Sequence, residues 1–350
     1  MLIIKTHENK KDVYDITVEN SNFYANGILV HNCQEISLPT KPIEHLDDTD
    51  GEIATCILSA INLGKIKKLS DLEEICELTV RALDALIEEQ DYPVKAAEVA
   101  TKARRSLGVG VINYAYYLAK NKAKLGTQEA RQLTHELFEA IQYYLLKASN
   151  KLAKEIGVCQ KYHETKYANG IFPIDTYKKE IDEFANFSYL QDWDSLRENV
   201  RLYGLRNSTL TALMPSESSS VISGATSGID FPRDFLTAKQ SGSGVMKMIV
   251  PEYDKLKKHY TLLPEIKDMT ESFKLLAIMQ KFIDQSISTN TNYWNNNYED
   301  DKVPMDVLIG DMFLAYKYGL KTLYYDNTLT YSTESDTVEE SGCASGACAI

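Results

Sequence analysis

The chain has 350 residues, 38 Lys and Arg against 50 Asp and Glu for a formal charge of −12, and 44% hydrophobic residues. That hydrophobic share supports a real core and excludes wholesale disorder, while the negative charge argues against DNA or RNA as a partner, because phosphates need a positive surface. No apolar run approaches the roughly 20 residues that cross a bilayer, and Met1-Leu2-Ile3-Ile4-Lys5 lacks the pattern of a signal peptide, so a cytoplasmic location is expected.

Residues 1–32 read as a compact β unit. Val13-Tyr14-Asp15-Ile16-Thr17-Val18 alternates in strand fashion, Asn20-Ser21-Asn22 is a turn, and Asn26-Gly27 is a tight turn between Phe23-Tyr24-Ala25 and Ile28-Leu29-Val30. From about residue 70 the pattern becomes helical. Ser70-Asp71-Leu72-Glu73 has the form of a capping box ahead of Leu72, Ile75, Leu78, Leu83 and Leu86. A long helix is predicted from about Gln128 to Ile156, stopped by Gly157. Further helices fit 194–203, 271–287 and 305–319, and Leu107–Ile112, Thr209–Met214 and Leu320–Tyr325 read as buried strands. Strands alternating with helices imply an α/β architecture with parallel strands. After Tyr325 the apolar pattern fades. Residues 331–350 hold Glu334, Asp336, Glu339 and Glu340 with no Lys or Arg, which predicts a flexible acidic tail ending in Cys343-Ala-Ser-Gly-Ala-Cys348.

The six cysteines stand at 33, 56, 76, 159, 343 and 348. In a reducing compartment they are not expected to form structural disulfides, and no His or Cys spacing around the tail pair completes a metal site. Cys76 and Cys159 fall within helical patterns and are read as core or surface residues. At His31-Asn32-Cys33, an Asn amide can attack its own carbonyl and cleave the next peptide bond, a His can supply the leaving-group proton, and a following Cys can carry an acyl group as a thioester. Cys33-Gln34-Glu35 sets a thiol and a carboxylate on one face of an extended finger, which suits radical or nucleophilic chemistry or is a small buried residue beside a solvated Glu. Pro215-Ser216-Glu217-Ser218-Ser219-Ser220 follows an apolar strand and opens a helix, either as an anion site or as a Ser-rich cap. Of three Tyr-Tyr pairs, 116–117 and 143–144 sit in helical patterns and are expected to pack. Tyr324-Tyr325 ends a strand-like run, where alternation points neighbours apart, so their rings can stack only if the backbone is locally irregular.

Residues 1–32, through Val13–Val18, Phe23–Leu29 and Val30-His31-Asn32-Cys33, resemble the C-terminal fragment of an intein, and the start at Met1 suggests a split one. That resemblance implies that Asn32 cyclises, His31 assists, and Cys33 opens the C-extein; Ser21 stands where such elements usually carry a His. The rest resembles the large catalytic subunit of class I ribonucleotide reductase. The likeness runs in order through Cys33–Thr40, Gly51–Cys56, Arg105–Asn113, Phe138–Lys147, Leu213–Ser220, Met279–Ser286, Lys321–Tyr325 and the Cys343/Cys348 tail. The implied fold is the C-terminal part of a ten-stranded α/β barrel with a central finger loop over 33–325, followed by a redox tail over 326–350.

By that resemblance Cys33 is the thiyl radical that removes the ribose 3′ hydrogen, Glu35 takes the 3′ hydroxyl proton, and Cys56 is one of two reducing thiols. Tyr324 and Tyr325 pass the oxidising equivalent to Cys33, Cys343 and Cys348 renew the thiols, and Ser216, Glu217, Ser218 and Ser219 hold the substrate phosphates. The chain itself is expected to bind no cofactor, the metal-radical cofactor belonging to a partner small subunit. The other implied partners are an N-terminal fragment of the large subunit, thioredoxin or glutaredoxin, a ribonucleoside diphosphate and a second large subunit in a dimer. The family's Asn two residues before the radical cysteine is His31 here, and the second redox cysteine and effector regions lie upstream in the family. Activity is therefore expected only after trans-splicing or assembly with that N-terminal fragment; the alternative is a folded, non-catalytic, unspliced remnant or assembly partner.

Overall fold

The computed structural model describes residues 22–25, 28–31, 35–45, 47–241, 244–329 and 338–340. The expected strand Val13–Val18, the junction residues Asn32 and Cys33, and the tail cysteines Cys343 and Cys348 lie outside them. Strands β1 (Asn22–Ala25) and β2 (Ile28–His31) pair antiparallel, with Ala25 opposite Ile28, in the register an Asn-Gly two-residue connection favours.

The body is built on parallel strands. β3 (Ile57–Asn62) leads through α1 (Asp71–Glu89) and α2 (Lys95–Arg104) to β4 (Leu107–Ile112), which pairs with β3 from Ile57↔Leu107 to Asn62↔Ile112. All six residues of β4 are buried, which is why its apolar run is unbroken instead of alternating. The next line is the segment 209–213, held by a bridge from Val109 to Thr211, and beyond it lies 285–288, bridged from Leu213 to Ile287. The expected strand Thr209–Met214 is thus a bridged segment and not a regular strand.

Helices cover these strands. α3 (Tyr114–Lys120) carries the buried Tyr116 and Tyr117, which pack as expected. α4 (Gln128–Ile156) begins at Thr127, whose hydroxyl accepts the Ala130 N–H at 3.2 Å, and ends at Gly157 with φ 87°. α1 and α4 run side by side in the same direction. The pairs Lys147–Glu73 (2.6 Å), Lys151–Glu77 (2.7 Å) and Arg81–Glu155 (2.6 Å) keep step along both helices. The inner face of α1 buries Leu72, Cys76, Val80, Leu83 and Ile87. Its N-terminus corrects the capping-box expectation: Ser70 makes no side-chain cap, and Asp71 instead accepts the N–H groups of Lys67 and Lys68 at 3.1 and 3.2 Å.

Beyond α5 (Trp193–Tyr203) and α6 (Glu217–Ile222), β5 (Leu236–Ser241) and β6 (Gly244–Ile249) make an antiparallel hairpin. α7 (Thr270–Gln280) is shorter than the predicted 271–287, because the chain leaves the helix to enter the 285–288 strand line. β7 (Thr291–Trp294) follows, then α8 (Met305–Lys317), and β8 (Asp326–Leu329) pairs parallel with β7. The predicted strand Leu320–Tyr325 is irregular over 321–325 and the regular strand starts one residue later, so the sheet crosses the expected 325/326 boundary. Finally, β9 (Val338–Glu340) pairs parallel with β5. No helix among the described residues is long and apolar enough to cross a membrane.

One core residue sets an acid limit on this packing. His135 of α4 is fully buried, neither ring nitrogen has a hydrogen-bond partner, and its ring lies against Phe187, Tyr189 and Phe282. Burial, helped by the nearby Lys281 ammonium, pulls its pKa down to about 4. A base held below its unfolded pKa binds fewer protons in the native state, so its stabilising effect is complete above about 6.5 and is lost as pH falls towards 4. Between pH 7.5 and 5 this should cost about 2 kcal/mol. His135→Phe should flatten that decline; thermal melts at the two pH values that move equally in both proteins would refute it.

Candidate functional site

The strand line 285–288 grips the segment 35–37 at three points. The Ser286 N–H donates to the Glu35 carbonyl at 2.7 Å, the Ser37 N–H donates to Gln285 Oε1 at 3.0 Å, and Ser288 Oγ donates to Glu35 Oε2 at 2.6 Å. Glu35 is 1% exposed, so the reading of a solvated carboxylate is excluded. Gly108 makes room for this arrangement: a Cβ there would stand 2.8 Å from Ile36 Cδ1 and 2.6 Å from Leu58 Cδ2.

Cys56 stands half-buried just before β3, a free thiol. Burial first, and then the negative charge of Glu35, push its pKa up to about 12. The carboxylate and thiol therefore share one electrostatic environment, and Cys56 rests as S–H, the form that can donate hydrogen. Glu35→Gln removes the charge and leaves the shape. It should speed alkylation of Cys56 by about two- to tenfold at pH 9, where only the thiolate reacts. An unchanged rate, read by mass on the Cys56 peptide, would show that the two groups do not sense each other.

Tyr324 and Tyr325 hang from the next part of the same scaffold. The Tyr324 N–H donates to the Thr289 carbonyl at 2.7 Å and the Thr291 N–H donates to the Tyr325 carbonyl at 2.9 Å. Because 321–325 is irregular, neighbouring side chains are not forced apart: the ring centroids lie 4.0 Å apart and the two hydroxyl oxygens 3.3 Å apart. The irregular backbone lets the rings meet, but their planes stand at 48°, so the contact is tilted and not stacked. Lys321 holds the bend, its Nζ donating to the carbonyls of Asp284 and Gln285 at 2.9 and 2.6 Å.

Both tyrosines open on a cleft of about 500 Å³ at the C-terminal ends of 209–213 and 285–288, shared with Glu217, Arg233, Asp230 and Asn290. A cavity of similar size, about 470 Å³, lies at the opposite strand ends, among Ser208, Gln280, Lys281, Asp284 and Lys321. Only the first gathers predicted site residues. Of the four phosphate candidates, Glu217 lines the cleft; Ser216 is 4% exposed, with its hydroxyl donating to the Met214 carbonyl at 3.3 Å. The neighbouring loop is fixed from below by Asn113, whose Oδ1 accepts the Thr226 N–H at 3.0 Å. Cys76 and Cys159 are buried, with thiols raised by burial, and sit in the core. Sequence reading missed Ser286, Ser288 and Asn290. A serine in Ser286-Ile287-Ser288 carries no local sign of its partner; only the burial of Glu35 reveals it.

Comparison with known proteins places the chain in a family. The family model for the ribonucleotide reductase barrel domain matches residues 2–271 and 253–326. The chain is 57% identical over 318 residues to the ribonucleoside-diphosphate reductase subunit alpha of Haemophilus influenzae, covering 91% of this chain and 42% of that protein. It is 53% identical over 323 residues to ribonucleoside-diphosphate reductase 1 subunit alpha of Escherichia coli, covering 91% and 42% respectively. To the subunit alpha of Enterobacteria phage T4 it is 43% identical over 358 residues, 98% of this chain and 47% of that one. The chain thus spans less than half the length of these relatives. A buried carboxylate clamped to one parallel strand line, a half-buried thiol in its field and a tyrosine pair in tilted contact lie within the span that the family model matches, and the chain belongs to the ribonucleotide reductase barrel-domain family.

Proposed function

We propose that this chain is the C-terminal portion of a ribonucleoside-diphosphate reductase large subunit, completed by an N-terminal fragment and belonging to a cytoplasmic, dimeric enzyme with ten barrel strands. The observation that carries the reading is that one short segment, 286–291, supports both Glu35 and the Tyr324-Tyr325 pair. In this reading a radical-generating small subunit, which holds the metal-radical cofactor, oxidises the tyrosine pair. Cys33 then loses its hydrogen atom to that relay and removes the ribose 3′ hydrogen. Glu35 accepts the 3′ hydroxyl proton, a reducing thiol protonates the departing 2′ hydroxyl so that it leaves as water, and Cys33 finally returns the hydrogen atom to the 3′ carbon. Cys56 and a thiol of the N-terminal fragment supply two electrons and become a disulfide. The Cys343/Cys348 pair reduces that disulfide by exchange and is itself renewed by thioredoxin or glutaredoxin. Ser216, Glu217, Ser218 and Ser219 bind the diphosphate of the substrate.

The joining step in this reading is protein splicing: Asn32 cyclises with help from His31, and Cys33 receives the upstream chain. A second reading, assembly without splicing, is favoured by a family match that begins at residue 2. Co-expression with an upstream fragment ending in the matching intein half separates them by mass. A ligated product lacking residues 1–32 is the expected result. A persistent unjoined pair that nonetheless reduces nucleotides would establish assembly instead, and reduction by this chain with the small subunit and reductant alone would overturn the need for any N-terminal fragment.

A further inference from the structure

We propose that Ser288 is a positioning residue for the reductase reaction, holding Glu35 in the orientation and charge state in which it accepts a proton. The proposal rests on the function proposed above. Glu35 is cut off from solvent, so its charged form depends on protein donors, and Ser288 Oγ donates to Oε2 at 2.6 Å. Ser288 is itself only 6% exposed, so its hydroxyl is sheltered with the carboxylate it serves. The donor cannot wander: the Ser288 N–H donates to the Leu213 carbonyl at 3.0 Å, and the Leu213 N–H donates to the Ser286 carbonyl at 3.1 Å.

The same strand line also fixes where the carboxylate begins. Ser286 binds the backbone of Glu35 and Gln285 binds that of Ser37, so the finger is located on both sides of the side chain that Ser288 aims. Ser288 therefore occupies Oε2 and leaves Oε1 as the oxygen that takes the substrate proton. When Glu35 accepts that proton the Ser288 hydrogen bond weakens, because a carboxylic acid is a poorer acceptor than a carboxylate. The serine thus favours the state before transfer and fixes its geometry, and it gives no proton of its own.

The test uses the chain joined to or assembled with its N-terminal fragment, carrying Ser288→Ala. The substitution removes one oxygen from a buried site and leaves the backbone pairing intact. Loss of a hydrogen bond to the charged form should lower kcat by about tenfold and leave KM within about twofold. The acid limb of kcat against pH should move up by about one unit. Cys56, whose thiol stays protonated across this range, cannot supply that shift. A slowed enzyme with an unmoved acid limb, or an unchanged rate, overturns the proposal. If the wild-type assembly reduces no nucleotide, the functional reading has failed instead, and Ser288 is then read on this chain alone. The Glu35 carboxylate band, assigned by infrared difference against Glu35→Gln, must shift in Ser288→Ala; an identical band overturns the contact.

Discussion

Tyr324→Phe should stop nucleotide reduction and leave ligation to the N-terminal fragment untouched. The two rings are in tilted contact with centroids 4.0 Å apart, and a phenylalanine keeps that contact and the packing around it. What it loses is the hydroxyl, 3.3 Å from that of Tyr325, and with it the proton whose departure accompanies electron loss from a phenol. Reduction should therefore fall to the assay background, about three orders of magnitude below an enzyme turning over on the order of 10 per second. In the proposed splicing step the acting residues are His31, Asn32 and Cys33, which belong to a different part of the chain, so the ligated mass should appear at the wild-type rate. Cys33→Ala should abolish both. Deoxynucleotide yield and ligated mass, measured on the same preparations, decide the matter; loss of ligation in Tyr324→Phe with an intact fold would refute the separation of roles.

The features legible in the sequence were those decided locally. α4 begins at a threonine cap and ends at a glycine with positive φ, and its limits were predicted to the residue. The buried run of β4 is similarly self-announcing, since a strand covered on both faces needs no polar alternation. Misreadings arose where a distant partner decided. The helical pattern runs on past Gln280, but Asp284, half-buried, accepts the N–H groups of Leu210 and Thr211 at 2.7 and 3.0 Å, which draws that stretch into the parallel strand line. Leu320–Tyr325 has the composition of a strand, yet Lys321 is bound to carbonyls across the loop and the regular ladder begins only at Asp326. Ser70 and Asp71 both suit a cap, and the longer side chain reached the preceding amides. At the site, Glu35, Cys56 and the tyrosine pair were singled out through the resemblance of their motifs to the reductase large subunit, since each side chain alone also admits an ordinary packing role. Ser288 was not, since a serine acquires its role only from the carboxylate set against it.

Asp84→Ala is the substitution expected to cost most in stability. Asp84 of α1 is 4% exposed and accepts from three residues: Arg105 Nε at 2.6 Å, Asn207 Nδ2 at 3.2 Å and Arg206 Nε at 3.3 Å. Arg105 is 3% exposed and stands at the joint between α2 and β4 with φ 50°, a conformation a non-glycine residue holds only when its surroundings impose it. Removing the carboxylate leaves that guanidinium buried with Glu88 and the Asp84 carbonyl as its remaining acceptors. Breaking a buried pair from one side costs about 3–5 kcal/mol, because the surviving charge keeps its desolvation penalty. Asp84→Asn should lose less, since its amide oxygen still accepts from Asn207. The damage would not stay local. Asn207 Nδ2 also donates to the Arg105 carbonyl at 3.1 Å, tying the entry of β4 to the segment 209–213. That segment pairs with 285–288, which holds Glu35. Urea unfolding should show a lower midpoint with an unchanged slope, and in Asp84→Ala the Cys56 thiol should become alkylatable at a lower urea concentration than in wild type. An unfolding free energy within about 1 kcal/mol of wild type would mean that the charge on Arg105 is relieved by solvent and that this node does not anchor the strands beneath the site.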